Sequence, residues 1–223
     1  MTDFGNENLN KNVERQSISP AVIRRLPRYY RYLCELIARG KTRISSGELA
    51  NMMHVTASQI RQDLNCFGGF GQQGYGYNVE YLYAKICDLL GVGAGLCSVI
   101  IGAGNLGRAI VRSNMFEKRG VEIIGMFDIN PILVNQKIEH VEVYSLDSLD
   151  EFCKNNRVDF AVLTLPKENA QEVASRLVEL GVKGFWNFTG QELDLSEDSV
   201  IENVHLGDSL MTLCYRITAE DGE

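Results

Sequence analysis

The chain has no run of 18 apolar residues, and its first sixteen positions, Met1 to Gln16, are polar and Asn-rich without an apolar core. A membrane span and a secretory signal are therefore not expected, which places the chain in the cytoplasm. Six cysteines (Cys34, Cys66, Cys87, Cys97, Cys153, Cys214) occur without CxxC or Cys/His spacing. Neither a metal site nor a disulfide framework is suggested, and the cysteines read as core fillers. The three histidines, His54, His140 and His205, are scattered in a way that offers no acid/base arrangement. That argues against an enzyme, and specifically against a dehydrogenase.

Charge is unevenly spread. From Ser17 to Asn78 eight Lys/Arg (Arg24, Arg25, Arg28, Arg31, Arg39, Lys41, Arg43, Arg61) face three acids (Glu35, Glu48, Asp63), whereas Val79 to Glu223 carries 12 basic and 23 acidic residues. A basic small domain followed by an acidic larger one suggests that only the first meets a polyanion. The expected organisation is a disordered arm over 1–16, a DNA-binding domain over 17–78, a connector helix and nucleotide domain over 79–206, and a terminal helix and tail over 207–223.

In the basic part, Ser19-Pro20 marks a helix start, and Pro27 interrupts the segment beyond it. The spacing predicts a helix from Arg28 to Arg39, with Tyr30, Leu33 and Ile37 on one face and Gly40 as its stop. Ser45 with Glu48 forms a capping box for a helix through Met52, and Thr56 with Gln59 repeats it for a helix from Ala57 to Asn65. This is a helix-turn-helix pattern. Ser58, Gln59, Arg61 and Gln62 fall on the first two turns of its second helix, where Arg and Gln offer donors to base edges, Arg61 foremost. Arg28 and Arg43 join them as DNA-binding candidates. Phe67 to Tyr77 comes next with five glycines in eleven residues, a wing in which Gly71 and Gly74 let the backbone approach the DNA while Gln72, Gln73 and Tyr75 supply hydrogen bonds.

Beyond the apolar helix Val79 to Leu90, the period changes. Ser98 to Ile101 reads as a buried strand and Asn105 to Met115 as a helix, with Gly102, Ala103, Gly104, Asn105, Leu106 and Gly107 forming GxGxxG between them. In that context Gly102 makes the tight turn, Gly104 admits the pyrophosphate, Gly107 permits close packing, and the helix N-terminus attracts phosphate. Strand Val121 to Asp128 ends in an acid suited to ribose hydroxyls, with Ile129 beside it, so NAD(H) is expected over NADP(H). Strands at Val141–Tyr144, Asp159–Leu165 and Gly184–Phe188, alternating with helices at Leu146–Asn155 and Glu168–Leu180, complete an α/β, doubly wound parallel sheet. Its strand ends Thr164-Leu165-Pro166 and Asn187-Phe188-Thr189-Gly190 are expected to line the nicotinamide side. A last helix, Gly207 to Thr218, carries Leu206, Leu210, Leu213 and Ile217 on one stripe, widened by Met211 and Cys214, for packing on its own sheet or on a second protomer.

The run from Thr56 to Val79, together with Arg25 to Tyr30, the Gly102–Gly107 loop, Phe127-Asp128 and Asn187-Phe188, resembles the Rex family of redox-sensing transcriptional repressors. The resemblance implies a winged helix joined to a Rossmann domain, in a homodimer with an exchanged C-terminal helix. It also implies binding to palindromic operator DNA that NAD⁺ permits and NADH ends. The family's Tyr after the glycine loop corresponds to Ser113, and a Pro after Asn-Phe-Thr corresponds to Gly190. An Asp that pairs with an Arg near the winged helix corresponds to His205, with Arg24 or Arg25 as partner and Asp208 one turn away.

Overall fold

The computed structural model describes residues 18–66, 71–72 and 75–220, with the side chains of residues 71, 72 and 220 left aside. The expected arm, together with Gln73 and Gly74, lies outside them. The chain forms two compact units, one ending at Val92 and one beginning at Gly93. This moves the boundary expected near residue 78.

In the first unit α1 (Pro20–Ile23) leads into α2 (Leu26–Ala38), then β1 (Arg43–Ile44), α3 (Ser46–Met53), α4 (Ala57–Asn65), β2 (Gly71–Gln72), β3 (Gly76–Asn78) and α5 (Val79–Leu90). The Ser19 side chain accepts from Val22 N–H at the start of α1, with Pro20 in its first turn. Pro27 falls in the first turn of α2, where its missing N–H costs nothing, so that helix begins two residues before the expected Arg28. The buried stripe of α2 is Leu26, Tyr29, Leu33 and Leu36, while the expected Tyr30 and Ile37 are only half-buried beside it. Both stripes share Leu33 and both repeat at helical spacing, so the apolar pattern permits either.

The capping box at Ser45 and Glu48 forms as expected. Helix α3 ends at Met53 and is capped by His54, left-handed at φ 52°, and α4 starts four residues after Met53 with the Thr56 hydroxyl accepting from Gln59 N–H. Strand β1, absent from the sequence reading, pairs antiparallel with β3, which pairs with β2. Gly76 is required there, because at φ 69° a Cβ would lie 2.6 Å from the Ile44 carbonyl oxygen. Helix α5 belongs to this unit because Val79, Leu82 and Ile86 are buried in one core with Tyr29, Leu33 and Ile60.

The second unit runs β4 (Leu96–Ile101), α6 (Asn105–Arg112), a 3₁₀ turn (Glu117–Arg119), β5 (Val121–Asp128), β6 (Lys137–Ile138), β7 (Val141–Ser145), α7 (Leu149–Asn155), β8 (Phe160–Leu163), α8 (Lys167–Glu179), β9 (Gly184–Asn187), β10 (Val200–Asn203) and α9 (Leu206–Glu220). The sheet order is β10-β9-β8-β4-β5-β7-β6, with every pair parallel except β6 and β7. Chain order reverses between β4 and β8, and their carboxyl ends form the crevice in which doubly wound sheets bind ligands. The two edge strands, β6 and β10, are absent from the sequence reading. Apolar clusters fill both faces, around Phe127, Leu163 and Leu177 on one and around Ile100, Met126 and Val162 on the other.

Helix α6 stops at Arg112, short of the expected Met115. Ser113 is extended (φ −80°, ψ 123°), and its hydroxyl donates to the Ile110 carbonyl at 2.7 Å, a local bond that competes with further helix. Helix α9 exposes its apolar stripe instead of laying it on the sheet, with Leu210, Leu213 and Ile217 each more than half exposed.

Candidate nucleotide groove and DNA-reading face

The groove is built from the glycine loop outward. Gly102 adopts φ 101°, and a Cβ there would lie 2.7 Å from the Thr164 carbonyl oxygen. At Gly107 a Cβ would overlap the Gly102 carbonyl oxygen and sit 3.0 Å from Thr164 Oγ1, so the α6 backbone rests directly on the loop. A Cβ on Gly104 would meet only open space. No side chain caps the N-terminus of α6, which leaves its first N–H groups for an anion.

Three bonds hold the loop in this shape. Asp128 Oδ2 accepts from Ala103 N–H at 2.7 Å, Thr164 Oγ1 donates to the Gly102 carbonyl at 2.9 Å, and Arg108 Nε donates to the Ala103 carbonyl at 2.7 Å. The other Asp128 oxygen accepts from Asn130 N–H at 2.8 Å. Each carboxylate oxygen keeps a second lone pair, so Asp128 can brace the loop and still accept from ribose.

A cavity of about 390 Å³ opens here, lined by Gly102, Gly104, Asp128, Ile129 and Thr164 to Pro166. Asn169, Glu172 and Arg176 from α8 also line it, and the sequence reading missed them. Arg176 is held by Asp150 at 2.6 Å. Helical spacing alone could have put these residues about one, two and three turns after Pro166, but it could not show which way α8 turns toward the crevice.

Asn187 and Thr189 do not line this cavity; they organise the neighbouring strand end. Asn187 is 1% exposed and donates to the Gln191 carbonyl (2.7 Å) and to Asn203 Oδ1 (2.8 Å), while its own oxygen accepts from Thr189 N–H and Oγ1. Phe188 packs edge-on against Trp186. Gly190 stands at φ 73°, a conformation closed to the proline that the resemblance suggests there. His205 lies 3.7 Å from Glu192, and Asp208 is exposed in the first turn of α9. Ser113 lines a separate cavity of about 340 Å³ with Arg112, Glu139 and His140.

On the first unit, Ser58, Arg61 and Gln62 of α4 are exposed. Arg61 Nη1 donates to Ser46 Oγ at 3.2 Å across the helix-turn-helix. Two other DNA-binding candidates also hold the fold. Arg28 Nη2 donates to the Met53 carbonyl at the end of α3, and Arg43 Nη1 donates to the Tyr75 carbonyl, which ties the wing to β1. Tyr75 itself is 71% exposed.

Behind α4 lies a buried acid. Asp63, 1% exposed, accepts from Arg25 Nε and Nη2 (both 2.7 Å), from Tyr29 OH (2.9 Å) and from Gln59 Nε2 (2.8 Å). Burial pushes its carboxyl up, but the bonds from Arg25, Gln59 and Tyr29 and the Arg25 charge outweigh this and leave it below the usual carboxylate range. Burial, and then the bond to Asp63, push the Tyr29 phenol up. Glu48 is drawn down to about 2 by its bond from Lys41 and by those from the Ser45 backbone and side chain. Arg25 is thus committed within its own unit, and of the two arginines suggested for the switch Arg24 is the exposed one.

Residues 17–65 match the family described as putative DNA-binding protein N-terminus, and residues 98–190 match the CoA binding domain family. The chain is 52% identical over 208 residues to the redox-sensing transcriptional repressor Rex of Thermoanaerobacter pseudethanolicus, covering 93% of each chain. The chain belongs to the Rex family. Rex of Clostridioides difficile is 52% identical over 200 residues, 90% of this chain and 95% of that one. Among solved structures, the Rex-family repressor RSP in complex with β-NAD⁺ and operator DNA superposes with a TM-score of 0.87 at 53% identity, covering 92% of this chain and 94% of the other. RSP with β-NADH gives a TM-score of 0.84 at 50% identity, over 92% and 96%. The Rex fold, a winged helix followed by a Rossmann sheet, is the architecture the sequence led us to expect. Among the described residues no helix is long and apolar enough to cross a membrane, and no cluster of three potential ligands could hold a metal ion.

Proposed function

We propose that this chain is a transcriptional repressor that binds palindromic operator DNA and is released from it by NADH, so that the NADH/NAD⁺ ratio sets its occupancy. The observation that carries this is the Gly102–Gly107 loop, braced by Asp128 and open at the uncapped start of α6, on one chain with a winged helix that exposes Ser58, Arg61 and Gln62. The superposition on RSP bound to β-NAD⁺ and operator DNA supports it. In this reading NAD(H) is a regulatory ligand and the protein is not an enzyme. It acts in the cytoplasm.

The nucleotide lies with its pyrophosphate on the α6 N-terminus and its ribose on Asp128. Thr164, Leu165 and Pro166 bound the crevice, and Asn187 fixes the loop from Phe188 onward. Arg61, Ser58 and Gln62 face the major groove and the wing with Tyr75 faces the backbone, while Arg28 and Arg43 hold the two elements that do so. The exposed stripe of α9 requires an apolar partner, and a second copy of the chain supplies one with the twofold symmetry a palindrome demands. The deciding measurement is operator affinity at one salt concentration with NADH, with NAD⁺ and with neither. NADH is expected to weaken binding at least tenfold; an affinity within twofold of the ligand-free value would sink the redox reading.

A further inference from the structure

Gln59 sits in the first turn of α4 at the edge between its buried face (Ile60, Asp63, Leu64) and its exposed face (Ser58, Arg61, Gln62). Its Nε2 lies 2.8 Å from Asp63 Oδ1. Asp63 is ionised, its carboxyl held below the usual range by the donors around it, so it can only accept. The polarity of the Gln59 amide is therefore dictated by chemistry. Nitrogen must face Asp63, and Oε1 must point away from it. Asp63 cannot turn to suit another arrangement, because Arg25 grips both of its oxygens and Tyr29 adds a further bond.

We infer that Asp63 locks Gln59 as a base-reading side chain of fixed polarity, one that selects adenine in the major groove. The reading rests on the DNA-binding role proposed above. Nε2 carries two hydrogens and spends one on Asp63. What remains beyond the bond to Asp63 is an acceptor, Oε1, and one N–H. Adenine alone offers an adjoining amine donor and ring-nitrogen acceptor to such an edge; guanine offers two acceptors and would set its O6 against Oε1. A free glutamine can flip its amide to suit another neighbour. Here a flip would place Oε1 against a buried carboxylate, so discrimination is built in before the DNA arrives.

The test uses the full-length chain and a palindromic duplex selected from a randomised library, in which each base pair is then replaced symmetrically at fixed salt. The wild type is expected to prefer adenine at one symmetric position by about tenfold over the other bases. Gln59→Met, similar in size but without the amide, should flatten that position to within twofold and leave preferences elsewhere in place. Asp63→Asn, which can turn its own amide, should weaken the same preference although Gln59 is still present.

If Gln59→Met flattens a position that prefers guanine or thymine, or flattens none, the inference is overturned while DNA binding stands. Failure of the wild type to bind any duplex would overturn both. Should Asp63→Asn not fold, hydrogen exchange of the Gln59 carboxamide in the wild type decides the positioning role: one protected Nε2 proton supports the lock, and two freely exchanging protons overturn it.

Discussion

Asp128, at the end of β5, accepts the backbone N–H of Ala103 at 2.7 Å. The acid expected to meet ribose is also the brace of the loop meant to meet pyrophosphate. Charged hydrogen bonds of this kind contribute about 1.5–3 kcal/mol. Asp128→Ala is therefore expected to weaken NADH binding by roughly ten- to hundredfold, read by fluorescence titration. Asp128→Asn, which keeps an oxygen for Ala103, should fall between that variant and the wild type.

Gly107→Ala addresses the same loop from the helix side. The added Cβ would overlap the Gly102 carbonyl oxygen, which is backbone and cannot swing aside as a side chain could. We expect a loss of about 1–3 kcal/mol in urea unfolding, together with weaker NADH binding. Gly104→Ala, whose Cβ meets nothing, should unfold like the wild type.

Arg61→Ala is expected to remove operator binding by at least tenfold while leaving NADH affinity unchanged. Arg61 is exposed on α4, and its bond to Ser46 is an exposed one between two side chains, of the kind that adds about 1 kcal/mol or less to stability. Equal loss of both activities would contradict a division of labour between the two units.

Asp63 makes the first unit sensitive to acid. Its folded carboxyl titrates below the unfolded value of about 3.9. The stabilisation it supplies is complete above that value and is lost as pH falls through the lower, folded one. Amide exchange across α4 should accelerate below about pH 4, and Asp63→Asn should blunt that acceleration. Asp63→Ala leaves Arg25 and Tyr29 without their acceptor and is expected to cost about 3 kcal/mol at neutral pH.

Leu210→Asp together with Leu213→Asp tests the stripe on α9. Two charges in an apolar contact cost several kcal/mol, so the assembly should sediment as single chains and its operator affinity should fall in parallel. Unchanged mass would show that this helix does not join protomers.

The sequence was most legible where chemistry is local. The capping box at Ser45 and the roles of Gly102 and Gly107 could be read from the local motif and appear in the structure, whereas at Thr56 only the hydroxyl cap forms, because the Gln59 side chain turns to Asp63 and does not return to the Thr56 backbone. Legibility ended where the answer depends on distant partners. Strand β6 has only two residues, and β10 is mostly exposed with Glu202 and Asn203 where an apolar run would have signalled a strand; each exists because another strand lies beside it. The buried face of α2 is set by helix α5, its main packing neighbour, and by the Asp63 carboxylate that Tyr29 meets, which a helical stripe alone cannot reveal. Arg25 reads in the sequence as a candidate switch partner and Arg28 as a DNA contact, yet one pairs with an acid 38 positions away and the other donates to a carbonyl 25 positions away.

The short edge strands have a further consequence. A sheet edge offers unpaired backbone groups on which another chain can add a strand, and a long flat apolar edge invites fibrous association. Here one border is a two-residue antiparallel return beginning with Lys137, and the other carries Glu202 and Asn203, both exposed. Neither border is a template long enough for intermolecular strand growth. In the reading proposed above the chain meets its copy through helix α9, and its sheet borders offer no second route.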